Sequence, residues 1–350
     1  MVTIKDVARE AGVSAATVSR VWNDSDLVGP ETRERVAAVA ARLGYSPNGA
    51  ARSLRTKGTR TVGVLLPDLH GEFFSEVTRG IDQTARRRGF HLLVSSSHSD
   101  QQEANAALRS MRGRVDGLII MSPDGDAQRA IARLPATFPV VLLNCGVGVG
   151  RDSLTIANYD GARSMVGHLA SLGHRRIAMI AGPERNHDSD ERLRGYRDAL
   201  QEVGVEPVPE LQVRGDFREG SGYEGVSRLL AGRVCPTAIF AANDCMAIGA
   251  MSALGDLGLD VPTDVAVAGF DDIPLARFMS PSLSSVHVNI AQLGERATQR
   301  LLDAIANESA SDPLHEELKT HLVLRRSCGA QGTGAARDPE LQPRSQGNAP

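Results

Sequence analysis

The segment TIKDVAREAGVSAATVSRVWN, residues 3 to 23, constrains the fold more than any other stretch of the chain. Thr3 followed by Asp6 is a capping-box start, and Ile4, Val7, Ala8 and Ala11 supply one apolar helical face. Gly12 then ends the helix, Val13 sits in the turn, and Ser14 caps a second helix. Helices joined this closely need a Gly in the turn and small apolar residues at the crossing, here Ala8, Gly12, Val13 and Val18. The second helix carries short or basic side chains at Ala15, Ala16, Thr17, Ser19 and Arg20, so it can enter a DNA major groove. A third helical pattern follows, and then PNGAARSLR, which fits a short helix beside DNA.

From residue 61 onward, short aliphatic or β-branched runs alternate with helical patterns: TVGVLLP, HLLVSSS, GLIIMS, PVVLLN, SLTIAN, RIAMIAG, LQVRG, AIFAAN, VAVAGF and SSVHV. Such alternation builds parallel α/β sheets. Ten strands are too many for one ordinary sheet, and the helical stretch from about 160 to 173 opens a second series, so two similar lobes are expected. Ligands of open α/β sheets sit beyond the carboxyl ends of the strands, which places a cleft between the lobes. Asp68, Phe73, Phe74, Asn144, Arg192, Phe217, Asn243, Asp244, Asp271 and Asp272 follow strand ends and are its candidate lining.

Charge is unevenly spread. Residues 1 to 60 carry ten Lys or Arg against six Asp or Glu, and the remainder carries 29 against 36. A basic head facing phosphates and an acidic body held clear of them would give this split. The chain does not open on a charged segment followed by an apolar stretch, and no run approaches the ~18 apolar residues of a membrane span. Cys145, Cys235, Cys245 and Cys328 form no CxxC pair and no metal-ligand spacing, so a reducing cytoplasm and no metal are expected.

An enzyme is disfavoured. Gly146, Gly148 and Gly150 follow a strand pattern, but Arg151, Asp152 and Ser153 lead straight into SLTIAN rather than into a pyrophosphate-binding helix. GxxxxGK[ST], HExxH and GxSxG are all absent, so no catalytic residue and no cofactor is expected.

The pattern T-I-x-D-V-A-x-x-A-G-V-S-x-x-T-V-S-R-V-x-N, followed by Y-x-P-N-x-x-A-R-S-L, resembles the LacI-GalR family of bacterial repressors. DLHGEFFSEVTRGID, HLASLGHRRIAMIAGP, ERLRGYRDAL, AANDCMAIGAM and GFDDIPLARFMSPSLSSV resemble it too, in order and approximate spacing, and only the last two dozen residues have no counterpart. Trp22 departs from the aliphatic residue usual there and is expected to thicken the headpiece core.

The resemblance implies an all-α helix-turn-helix headpiece (1–47), a hinge helix and linker (48–57), and a two-lobed α/β core of periplasmic-binding-protein-like type (58–328). Lobe one would span about 61–158 plus 290–317, and lobe two about 159–288 plus 319–326, with crossings near Asn158, Asn289 and Leu318. Residues 329–350, rich in Gly, Pro, Gln and Ala, would be a disordered tail without the leucine heptads that join dimers into tetramers.

The implied function is a cytoplasmic, nucleoid-associated repressor of a carbohydrate-utilisation operon. It would bind a palindromic double-stranded operator as a homodimer, under allosteric control by a sugar or sugar derivative in the cleft. DNA contacts would come from Thr3, Ser14, Ala15, Ala16, Thr17, Ser19, Arg20, Asn23, Asn48, Ala51, Arg52 and Leu54. Arg20 would read guanine, and Leu54 would wedge into the minor groove from a hinge helix that folds only on operator. The effector would meet Phe73, Phe74, Asn144, Arg192, Phe217, Asn243 and Asp271. Asp244 and Asp272 would support their neighbours. Asn144 and Ala157 stand where the family commonly has acids, and Val288 where it often has Gln. A pocket poorer in carboxylates with one more apolar wall follows, and a nucleobase corepressor stays open as the alternative.

Overall fold

In a computed structural model, the structure describes residues 2–22, 27–45, 58–125, 127, 131–145, 150–306 and 313–329. The hinge segment with Asn48, Ala51, Arg52 and Leu54 lies outside them, as do Asn23, Gly146, Gly148 and the tail from 330.

The amino-terminal unit holds helices α1 (Ile4–Ala11), α2 (Ala15–Trp22) and α3 (Pro30–Leu43). Its capping box forms: Thr3 N and Oγ1 donate to Asp6 Oδ2 at 3.0 and 2.7 Å. Gly12 takes φ 65°, a left-handed cap that costs glycine little, and its N–H reaches back to end α1. Ser14 Oγ accepts from Thr17 N at 3.0 Å and opens α2. Val7, Ala8, Ala11, Val18, Val21, Val36 and Val39 form the buried centre. Trp22 does extend it, meeting Tyr45 edge to face at 5.7 Å between ring centroids.

The larger unit contains two six-stranded sheets. The first has the order β11 (His315–Leu318), β5 (Asp152–Ile156), β4 (Val140–Leu143), β3 (Gly117–Met121), β1 (Thr61–Leu66), β2 (His91–Ser96). The second has β12 (His321–Val323), β10 (Ser284–His287), β9 (Ala266–Asp271), β8 (Ala238–Ala241), β6 (Ile177–Ala181), β7 (Gln212–Arg214). Two strands exceed the ten read from sequence: β11 and β12 are edge strands of four and three residues, HEEL and HLV, too short and, in β11, too polar to give an apolar run. β12 is antiparallel to β10, while β10, β9, β8 and β6 run parallel.

The helices of this unit are α4 (Glu72–Arg87), α5 (Gln101–Met111), α6 (Asn158–Ser171), α7 (His187–Glu202), α8 (Glu219–Leu230), α9 (Asp244–Asp256) and α10 (Ile290–Ala306). Helix α10 packs on α4 so closely that a Cβ at Gly80 would lie 2.1 Å from Ala291 O. Likewise α8 meets α9, where a Cβ at Gly249 would lie 1.9 Å from Glu219 O. The chain therefore passes from the first sheet to the second after β5, returns after β10, and crosses again between β11 and β12. At these crossings Ala157 N donates to Leu318 O at 2.9 Å, and Thr320 Oγ1 to Ala157 O at 3.5 Å.

Both sheets reverse strand order at one point, between β1 and β3 in one and between β6 and β8 in the other. Open α/β sheets bind ligands at such points.

Candidate functional site

Strained backbone marks these strand ends. His98 after β2, Asn144 after β4, Arg185 after β6, Phe217 after β7 and Asp271 at the end of β9 all have positive φ without being glycine. Each such residue costs roughly 1–3 kcal/mol and persists where surrounding structure holds it, most often at binding sites.

A cleft of about 640 Å³ opens there between the lobes. Phe73 and Phe74 meet edge to face on its first-lobe wall, with centroids 5.5 Å apart. Phe217 lines the opposite wall, its ring seated on Gly182, where a Cβ would lie only 2.3 Å from the ring Cζ. Gly182→Ala is expected to cost about 1–3 kcal/mol of core stability, because the ring or the strand end must shift. Chemical denaturation checks this, and wild-type stability would mean that Phe217 does not rest on the strand.

Arg192 is 3% exposed and already engaged. Its Nε donates to Asn158 Oδ1 at 2.8 Å, Nη1 donates to Ala242 O at 2.5 Å, and Cζ lies 3.7 Å from the Phe270 ring centroid. Nη2 lies 3.4 Å from Asp271 Oδ1, near enough for an ion pair but misaligned as a hydrogen bond, so Oδ1 is buried without a hydrogen-bond partner. Burial pushes the Asp271 carboxyl up to about 7, and Arg192 only partly opposes this while Asp188 adds to it.

Of the seven residues expected to meet the ligand, six line the cleft: Phe73, Phe74, Arg192, Phe217, Asn243 and Asp271. Asn144 does not. It is 1% exposed and its Nδ2 donates across the lobes to Asp188 Oδ2 at 2.8 Å. Asn243 lines the wall with both polar ends in use, Oδ1 capping α9 at Met246 N and Nδ2 donating to Phe217 O. Asp272 pairs with Arg325 and His287, and Asp244 is enclosed by Ser285 Oγ and Ile273 N, so both support β9 rather than face the cleft.

Sequence reading missed Asp188. It lines the cleft, accepts from Asn144 and from Asn158 Nδ2 at 2.9 Å, and is pushed above the usual carboxylate range by burial. An acid in the first turn of a helix usually serves that helix, and this hid its role. Nor is the cleft poor in carboxylates: along its described lining, eight Asp or Glu face three Arg. Val288 gives it no apolar wall either, since it is buried and borders a separate cavity of about 320 Å³. Across the mouth, Arg218 pairs with Asp68 at 2.9 Å and Asn186 Nδ2 donates to Asp124 Oδ1 at 2.9 Å.

On the headpiece, Ala16 and Arg20 are exposed on α2, as are Thr3 and Ser14. Thr17 and Ser19 are half-buried, and Ala15 packs partly against the headpiece core, which reduces the apolar surface it can offer a base.

Together these parts define a DNA-binding regulator: a helix-turn-helix head on a chain whose core holds a small-molecule cleft between two α/β lobes. Residues 3–48 match the signature of bacterial regulatory proteins of the lacI family, and residues 166–328 match a periplasmic binding protein-like domain. The chain is 33% identical to the HTH-type transcriptional repressor PurR of Haemophilus influenzae, covering 93% of this chain and 98% of that protein. Its fold matches the lac repressor dimer bound to operator and the anti-inducer ONPF (TM-score 0.82, 33% identity, 93% and 99% covered). It also matches the transcriptional regulator CelR in complex with cellobiose (TM-score 0.71, 33% identity, 93% and 100% covered). The chain belongs to the LacI family of transcriptional repressors and is not an enzyme. Among the described residues, no helix is long and apolar enough to cross a membrane.

Proposed function

We propose that this repressor binds a palindromic operator as a homodimer and is controlled by a sugar or sugar derivative held in the interlobe cleft, in the service of a carbohydrate-utilisation operon. The observation that carries the reading is the pairing of Phe73 and Phe217 on facing walls with the polar floor of Arg192, Asp271 and Asp188. Aromatic faces cover the C–H faces of a sugar ring, and carboxylates accept from its hydroxyls. One similar protein supports it: CelR, in complex with cellobiose.

A nucleobase is the second reading. The same aromatic walls would stack on a flat base, and PurR repressors are among the similar proteins. Thermal shift with neutral sugars and with nucleobases separates the two. Stabilisation by nucleobases alone would overturn the sugar reading. Gel mobility shift on palindromic DNA, with and without the stabilising compound, tests control.

Thr3, Ser14, Ala15, Ala16, Thr17, Ser19 and Arg20 form the proposed base- and phosphate-reading surface, joined by Asn23, Asn48, Ala51, Arg52 and Leu54 outside the described residues. Arg20→Ala is expected to cost ~1–3 kcal/mol of operator affinity and to relax preference at one symmetric position per half-site. Titration against operator variants checks it, since equal losses on every sequence would make Arg20 a phosphate contact.

A further inference from the structure

The floor of the cleft holds more negative charge than its one buried cation can balance. Asp188 and Asp271 are 8% and 4% exposed, and Arg192 is the only arginine of the cleft lining that is buried with them. That guanidinium is also shared, since it donates to Asn158 Oδ1 and Ala242 O and stacks on Phe270. Arg218, a second lining arginine, is committed to Asp68 at 2.9 Å. Asp271 Oδ1 is buried at the cleft wall with no hydrogen-bond donor aligned to it. Arg192 Nη2, 3.4 Å away and shared with other acceptors, balances this desolvated carboxylate only in part, so a second cation or a proton would stabilise it further.

We propose that the cleft takes a ligand carrying a protonated amine, seated between Asp271 and Asp188. The amine brings to Asp271 and Asp188 the positive charge that Arg192 alone does not supply. The facing ring of Phe217 favours a cation as well, because its π face is electron-rich. Amides from Asn144 and Asn158 hold Asp188 in place from the protein side, at 2.8 and 2.9 Å. Burial already raises both carboxyls, so they are held in wait for a partner that returns them to the ionised form. An anionic ligand, such as a sugar phosphate, would face eight lining carboxylates against three arginines, of which Arg192 is buried and shared, Arg218 is paired with Asp68 and Arg185 is exposed. For its hydroxylated ring the proposal rests on the sugar reading above, whereas for its charge it does not.

The test uses the full-length protein near neutral pH and three matched pairs: glucosamine with glucose, galactosamine with galactose, and mannosamine with mannose. Glucose 6-phosphate and 1,4-diaminobutane are added as an anionic arm and a non-sugar arm. Calorimetry is expected to show at least one amine binding about tenfold or more tighter than its hydroxyl counterpart, the usual gain from a hydrogen bond to a charged group. The preference is expected to shrink as salt rises and to fall below about threefold in Asp188→Asn, which keeps the side-chain size. The wild-type comparison stands even if that variant fails to fold.

Neutral sugars binding as tightly as their amines, or the phosphate binding best, would overturn the amine while leaving the sugar reading in place. Binding of 1,4-diaminobutane with no sugar of either kind would keep the charge and overturn the sugar. No binding by any of the eight compounds would overturn both.

Discussion

Arg192→Ala is expected to destabilise the core by about 3–5 kcal/mol, the usual cost of removing one partner from a buried ion pair. The guanidinium is held by Asn158, Ala242 and Asp271, so its loss strands a carboxylate, an amide oxygen and a backbone carbonyl at the buried floor of the cleft. Chemical denaturation of the variant measures the loss. Arg192→Ala combined with Asp271→Asn is expected to recover part of it, because the stranded charge is gone. Neither variant is expected to respond to a cleft ligand. A single variant as stable as wild type would show that Asp271 is already neutral and that Arg192 serves no ion pair.

The second large effect is a dependence of ligand-free stability on pH that runs against the common direction. Asp271 has a folded-state pKa of about 7, raised by burial from 3.8, so the folded state holds a proton that the unfolded chain has released. That stabilisation is complete below about 3.8 and is lost as pH rises through about 7. Asp188 and Asp244, both raised by burial, act in the same sense. Asp68 and Asp272 act in the opposite one. Burial would raise them, but hydrogen bonds from His70 N and Arg218 to the first, and from His287 and Arg325 to the second, hold them low. Their contribution is lost only as pH falls below 3.8. His174, lowered by burial, also favours higher pH.

Comparing wild type with Asp271→Asn at each pH cancels the groups that do not interact with Asp271, Asp188 and Asp244 being the coupled ones. Between about pH 5 and 7 the variant is expected to gain about 2 kcal/mol relative to wild type, the slope falling from ~1.4 kcal/mol per pH unit as pH nears 7. A difference that stays flat across that window would place the Asp271 carboxyl at its ordinary value.

Much of the fold is legible in sequence because its signals are local. Thr3, Asp6, Gly12 and Ser14 each act within four residues, and the aliphatic runs of β1, β3, β6 and β8 are buried along their length. β11 and β12 escaped because edge strands need no apolar run. The cleft was harder for the same reason. Arg192 was placed at the cleft, but its partners Asn158, Asp271 and Ala242 are 34 to 79 residues away in sequence. Asn158 read only as a crossing point, yet it touches both Arg192 and Asp188. Asn144 looked like cleft lining because it follows a strand, but across the lobe gap Asp188 takes its amide.

The three crossings between the lobes lie at matching sheet edges, where β11 flanks β5 and β12 flanks β10. A single connecting strand would leave the lobes free to twist and slide as well as to close. Two of the three are tied to each other, Ala157 N to Leu318 O and Thr320 Oγ1 to Ala157 O, so a twist of one lobe on the other would shear those bonds, whereas opening need not. Within each lobe, Gly80 against Ala291 and Gly249 against Glu219 let two helices pack backbone to backbone. A ligand in the cleft can bias any opening at these crossings only by its difference in affinity between the open and the closed arrangement.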